Sequence, residues 1–89
     1  MSAPVQIYVS RYCGWCTRAL ALLEAKGVVP DVVVVDNDLE RRGEMEQRSG
    51  RRTVPQVFIG DRHVGGFDDL RALDTAGQLD ALLRQQATT

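Results

Sequence analysis

Cys13-Gly14-Trp15-Cys16 places the chain's two cysteines three residues apart, directly after an apolar run and at the head of a helical pattern. Two thiols on one helical turn can close a small disulfide ring. The first would sit where unpaired helix-end N–H groups favour a thiolate. Thiol–disulfide exchange needs an exposed thiolate that attacks along the S–S axis and a second thiol that completes the step. A dithiol after a strand in a βαβ setting reads as redox chemistry of this kind.

Other uses of the pair fit less well. A structural zinc site takes four ligands, usually as two such pairs, and His63 is the single other soft ligand. A structural disulfide across one turn closes too short a loop to stabilise much. Two inert core thiols are compatible with the spacing, but Gly14 between them suits a chain end better than a packed helix.

The elements that must hold the pair are legible around it. Val5-Gln6-Ile7-Tyr8-Val9 alternates and is rich in β-branched residues, so it reads as a strand. Trp15, Ala19, Leu22 and Leu23 form one helical stripe, and Cys16, Leu20 and Leu23 an overlapping one. Cys16 is therefore expected to point inward and Cys13 outward, with Gly27 as C-cap. Val32-Val33-Val34-Val35 reads as a short parallel strand covered on both faces. Asp36-Asn37-Asp38 offers helix caps for a weakly amphipathic helix over Leu39 to Ser49, ended by Gly50. Val57-Phe58-Ile59 and Arg62-His63-Val64 flank Gly60-Asp61 as a hairpin. Gly65-Gly66 breaks the second strand, and Asp68 or Asp69 caps a helix with Leu70 and Leu73. A turn near Thr75-Ala76-Gly77 precedes a last helix with Leu79, Leu82 and Leu83. His63, beside the hairpin turn, is expected at the surface.

The 89 residues suit one small domain, 1–89. Apolar residues at 44% and charged residues at 26% are ordinary for a globular chain. A net charge of −1 gives no general attraction to nucleic acid or anionic membrane. No apolar run approaches the ~18 residues of a membrane span. Met1-Ser2-Ala3-Pro4 lacks the basic-then-apolar pattern of a signal peptide, and two cysteines are too few for a secreted disulfide scaffold. The expectation is a cytoplasmic protein. Arg41, Arg42, Arg48, Arg51 and Arg52 are interleaved with Glu40, Glu44 and Glu46, as on a solvated, ion-paired face.

The order βαβαββα, its final helix split, with a dithiol after the first strand, resembles the thioredoxin fold. Thr53-Val54-Pro55-Gln56-Val57-Phe58-Ile59-Gly60 is similar to the segment in which glutaredoxins carry a cis-proline facing the cysteines. Gly65-Gly66-Phe67-Asp68-Asp69-Leu70 is similar to the glutaredoxin turn that holds the γ-glutamyl end of glutathione. The chain as a whole resembles a small dithiol glutaredoxin of the bacterial type. That resemblance implies an α/β, thioredoxin-like fold with a mixed four-stranded sheet and helices on both faces.

It also implies Cys13 as nucleophile and Cys16 as resolving thiol. Thr53 and Val54 would contact the cysteinyl part of glutathione, beside Pro55. Gly66, Phe67 and Asp68 match the γ-glutamyl turn. Trp15 stands where the family usually has tyrosine beside the tripeptide, although its place on the apolar stripe also fits a core residue. Arg42 and Arg52 fall near positions that can pair with the glycine carboxylate. Three departures stand out. Gly14 replaces the usual proline and removes its φ lock. Ser10 stands where a lysine is common, and Arg11 beside it is then the cation expected to serve the thiolate and glutathione. Phe67 replaces a frequent cysteine.

The implied activity is glutathione-dependent reduction of protein disulfides and protein–glutathione mixed disulfides by a monomer, with no tightly bound cofactor and no nucleic-acid or membrane partner. Two alternatives remain. The protein could be a redoxin reduced by thioredoxin reductase or another small thiol. It could also be a dimeric [2Fe–2S] carrier, with Cys13 and glutathione sulfur as ligands.

Overall fold

The structure is a computed structural model that describes residues 4–85. The N-terminal stretch read for a signal peptide lies outside them, apart from Pro4. Eight elements follow one another: β1 (Val5–Val9), α1 (Gly14–Ala25), β2 (Asp31–Val34), α2 (Leu39–Ser49), β3 (Gln56–Ile59), β4 (Arg62–Gly65), α3 (Phe67–Thr75) and α4 (Leu79–Gln85). The sheet runs β2-β1-β3-β4. β1 is parallel to β2 and antiparallel to β3, and β3 is antiparallel to β4. The mixed sheet and its helices are those of a thioredoxin-like α/β fold.

Strand alternation sorts the core into two layers. Val5, Ile7 and Val9 of β1 and Val57 and Ile59 of β3 face Cys16, Ala19 and Leu23 of α1, with Leu70, Leu79 and Leu83 from α3 and α4. Tyr8 and Phe58 point the other way and pack with Val35 and Met45, the one buried residue of α2. α1 ends as a Schellman motif. Gly27 sits at φ 75°, its N–H donates to the Glu24 carbonyl at 2.9 Å, and the Val28 N–H donates to the Leu23 carbonyl at 3.0 Å. A left-handed residue at this position favours glycine. Gly77 repeats the motif after α3, which splits the last helical segment. Asp38 caps α2, accepting from the Arg41 N–H at 3.0 Å.

Two expectations change. β2 is not covered on both faces: it is an edge strand, with Val32 and Val34 exposed by 45% and 39%. A four-valine run is equally compatible with a central or an edge strand, and the crossover through α1 puts this one at the edge. The capping of the helix after Gly65-Gly66 shifts in position only: Gly66 is the N-cap residue, and Asp69 caps the helix from its third position, its carboxylate accepting the Gly66 N–H at 2.9 Å. Among the described residues no helix is long and apolar enough to cross a membrane.

Candidate active site

β1, an interior strand, ends at Val9, and a short connection carries the chain to α1 at Gly14. Cys13 is the N-cap of that helix, with extended backbone at φ −113° and ψ 110°. Its Sγ accepts the Cys16 backbone N–H at 3.1 Å. A hydrogen bond to a charged acceptor contributes about 1.5–3 kcal/mol, against about 0.3–1 kcal/mol from the helix dipole. The local N–H is therefore the stronger support for a thiolate at this position. The Cys13 S–H also donates to the Val54 carbonyl, at 3.8 Å. The two contacts serve the two protonation states.

The pair is asymmetric, as the helical stripe predicts. Cys13 is partly exposed and Cys16 is buried, and both are free thiols. Burial, helped by the hydrogen bond with Cys13, pushes the Cys16 thiol up to about 12. One sulfur meets solvent, while the other waits protonated behind it.

A groove of about 230 Å³ runs beside the thiols, lined by Trp15, Arg51, Thr53, Val54, Pro55 and the turn from Gly66 to Asp69. It is smaller than the ~300–1,000 Å³ clefts that engulf drug-sized ligands, so a ligand lies along it partly in solvent. The Val54–Pro55 peptide bond is cis. Gly65, at φ 121°, brings the chain so close to α3 that a Cβ there would run into the Asp69 carboxylate. That carboxylate accepts the Gly66 N–H at 2.9 Å and the Arg51 guanidinium at 2.8 Å. Arg51, and then the Gly66 N–H, hold its carboxyl below the ordinary carboxylate range.

Trp15 is 53% exposed, so it is a rim residue rather than a core one. Its ring packs against Phe67 with centroids 5.7 Å apart, and the Arg18 guanidinium lies over it, 4.9 Å from the centroid. The structure thus gathers Cys13, Cys16, Trp15, Thr53, Val54, Pro55, Gly66, Phe67 and Asp68. It places Arg11, Arg42 and Arg52 elsewhere. Arg11 is absent from the groove lining; its backbone N–H and the Ser10 hydroxyl donate to the Asp36 carboxylate, at 2.7 and 2.6 Å. Arg42 donates to the Arg52 carbonyl at 3.4 Å, and Arg52 pairs with Glu46 at 3.2 Å.

Arg51 and Asp69 line the groove, although the sequence marks Asp69 only as a helix cap and Arg51 only as part of an ion-paired face. Asp69 had a signal: an acid three residues after a helix start commonly reaches back to the N-cap N–H. Arg51 had none, because its partner lies 18 residues away. His63 is half-buried rather than at the surface, packed on Phe58 with centroids 5.0 Å apart. Among the described residues, no three His, Cys, Asp or Glu side chains are grouped to hold a metal ion.

Comparison with known proteins agrees with this geometry. A family model described as glutaredoxin matches residues 5–64. Glutaredoxin 3 of Escherichia coli K12 is 51% identical over 82 residues, which covers 92% of this chain and 99% of that protein. A glutaredoxin of Pseudomonas aeruginosa is 50% identical over 80 residues, 90% of this chain and 95% of its own. The solution structure of glutaredoxin from Brucella melitensis superposes with a TM-score of 0.84 at 45% identity, covering 99% and 95% of the two chains. The crystal structure of a buckwheat glutaredoxin–glutathione complex gives 0.86 at 30% identity, covering 96% of this chain and 80% of that one.

Proposed function

The chain belongs to the glutaredoxin family of thiol–disulfide oxidoreductases, and from that premise we propose that it uses glutathione to reduce protein–glutathione mixed disulfides and protein disulfides. The observation that carries the reading is the partly exposed Cys13 sulfur, which accepts a helix N–H beside a groove built from the Thr53–Pro55 and Gly66–Asp69 segments.

Cys13 thiolate attacks the glutathione sulfur of a mixed disulfide. The S–S bond breaks, the substrate thiolate leaves, and a Cys13–glutathione disulfide remains. A second glutathione thiolate attacks that glutathione sulfur, which frees Cys13 and forms glutathione disulfide. With a protein disulfide, Cys13 thiolate attacks one of its sulfurs. The S–S bond breaks with the other sulfur leaving as thiolate, and a Cys13–substrate mixed disulfide forms. Cys16 then gives up its proton to solvent and attacks the Cys13 sulfur of that bond. The reduced substrate leaves and a Cys13–Cys16 disulfide forms, which two glutathiones then reduce. An NADPH-dependent reductase elsewhere restores the glutathione. Such a supply belongs to a reducing cytoplasm.

The Val54 backbone pairs with the cysteinyl part of glutathione as a short antiparallel strand. Asp68 holds the γ-glutamyl amine, next to Phe67 and under the Trp15 rim. The glycine carboxylate falls to Arg42 or Arg52, because Arg51, although it lines the groove, is paired with Asp69 at 2.8 Å beside the γ-glutamyl turn.

A coupled assay with NADPH, glutathione reductase, glutathione and a glutathionylated peptide tests the proposal. NADPH consumption well above the uncatalysed rate is expected, and its absence overturns the reading. In the same assay Asp68→Ala is expected to raise the Michaelis constant for glutathione roughly 5- to 30-fold, the range of one lost charge-assisted contact. An unchanged constant would remove Asp68 from the site.

A further inference from the structure

Gln56 is the sole polar side chain counted as fully buried among the described residues. It opens β3 directly after the cis-proline segment and faces away from the thiols, opposite Tyr8. Its amide is nevertheless spent on the groove wall. Nε2 donates to the Thr53 carbonyl at 3.0 Å and to the Thr53 hydroxyl at 3.3 Å. Oε1 meets His63 Nε2 at 2.7 Å. A carbonyl oxygen only accepts, so the Thr53 contact fixes which end of the amide carries the hydrogens. Oε1 must then accept, and His63 Nε2 must hold a proton. His63 is steadied by the Phe58 ring and by the β3–β4 bulge between Val57 and Phe58. A continuous chain runs from His63 through Gln56 to Thr53, which is exposed and lines the groove.

We propose that Gln56 and His63 are positioning residues that set the affinity for glutathione by holding Thr53 in place, although buried Gln56 cannot touch the ligand and His63 lies outside the groove. This rests on the reading of the Thr53–Pro55 segment as a glutathione-binding wall. The loop between α2 and β3 is tied at Arg51 to Asp69 and at Arg52 to Glu46, and the sheet supplies the tie at Thr53 through this amide. Without the amide, Thr53 samples other orientations, and binding must reorder it.

The test is a series of variants with kinetics and melting measured together. Gln56→Met keeps the length and the apolar packing and removes the clamp. It is expected to raise the Michaelis constants for glutathione and for a glutathionylated peptide roughly 5- to 30-fold, with kcat changed less than about 3-fold. His63→Phe keeps a flat ring and removes the donor, and a smaller rise in the same constants is expected. His63→Gln can donate again, and the constants should return toward native values. A role in stability alone would lower the melting temperature and leave the Michaelis constants unmoved. Constants within about 2-fold of native in a folded Gln56→Met overturn the proposal. So does a His63→Gln variant no better than His63→Phe, and this pair decides if Gln56→Met does not fold. A native protein that fails to turn over glutathione points to the broader reading instead.

Discussion

Cys13→Ser is expected to abolish thiol–disulfide exchange, while Cys16→Ser keeps turnover of protein–glutathione disulfides and loses turnover of protein disulfides. The asymmetry follows from the placement of the two sulfurs. Cys13 can be reached by a substrate sulfur and is held by the Cys16 N–H at 3.1 Å. Cys16 is 2% exposed and can attack only what is already bonded to Cys13. A serine at 13 keeps the cap and removes the nucleophile, so the loss should be on the order of 10³-fold or more. With glutathionylated peptide, Cys16→Ser should stay within about 3-fold of native, since that cycle uses one thiol. With a protein disulfide, the same variant should stall as a trapped mixed disulfide, visible by mass spectrometry. Equal loss of deglutathionylation in both variants would contradict the one-thiol route.

The second large effect is in pH. Cys16 must lose its proton to release a substrate from Cys13, and in the dithiol protein its thiol is pushed well up, with burial as the main cause. A thiol titrating near 12 is almost wholly protonated at neutral pH. Below that value each added pH unit raises its thiolate fraction about tenfold. Release from a preformed mixed disulfide at Cys13 should therefore accelerate about tenfold per unit between pH 6 and 9. In that experiment Cys13 is already in a disulfide and adds no titration of its own. Single-turnover quenching across this range gives the slope. A plateau near pH 8 would mean that Cys16 titrates much lower than its burial implies.

The inward Cys16, the β1 strand, the hairpin and the split last helix were all legible in the sequence, because each rests on local periodicity or turn chemistry. The edge position of β2 was not. Four consecutive valines report apolarity but not which neighbour they lack, and strand order is a property of the whole chain. The groove's segments could be placed from the resemblance of two motifs, yet its charges could not. Arg51 lies in a run of arginines that look alike, and only folding across 18 residues chooses it for Asp69. Gln56 stands just before the run that reads as a strand and carries no local signal of burial. Its partners appear only when the hairpin folds His63 back beside it.

The unequal layers on the two faces of the sheet bear on how the groove moves. α1, α3 and α4 bury Cys16, Ala19, Leu23, Leu70, Leu79 and Leu83 against β1 and β3. α2 buries Met45 alone and otherwise relies on polar ties, such as the 2.5 Å bond from the Tyr8 hydroxyl to Glu44. Amide protons of β1 and α1 should thus exchange only through global opening, and those of α2 through cheaper local openings. Cys13 and the Gly66–Asp69 turn belong to the slow-exchanging unit. The Arg51–Thr53 stretch hangs from the end of α2. That stretch is nevertheless tied across the groove by Arg51 to Asp69 at 2.8 Å and down to β3 by the Gln56 amide on Thr53 at 3.0 Å, so local openings of α2 can pass without displacing the attacking sulfur.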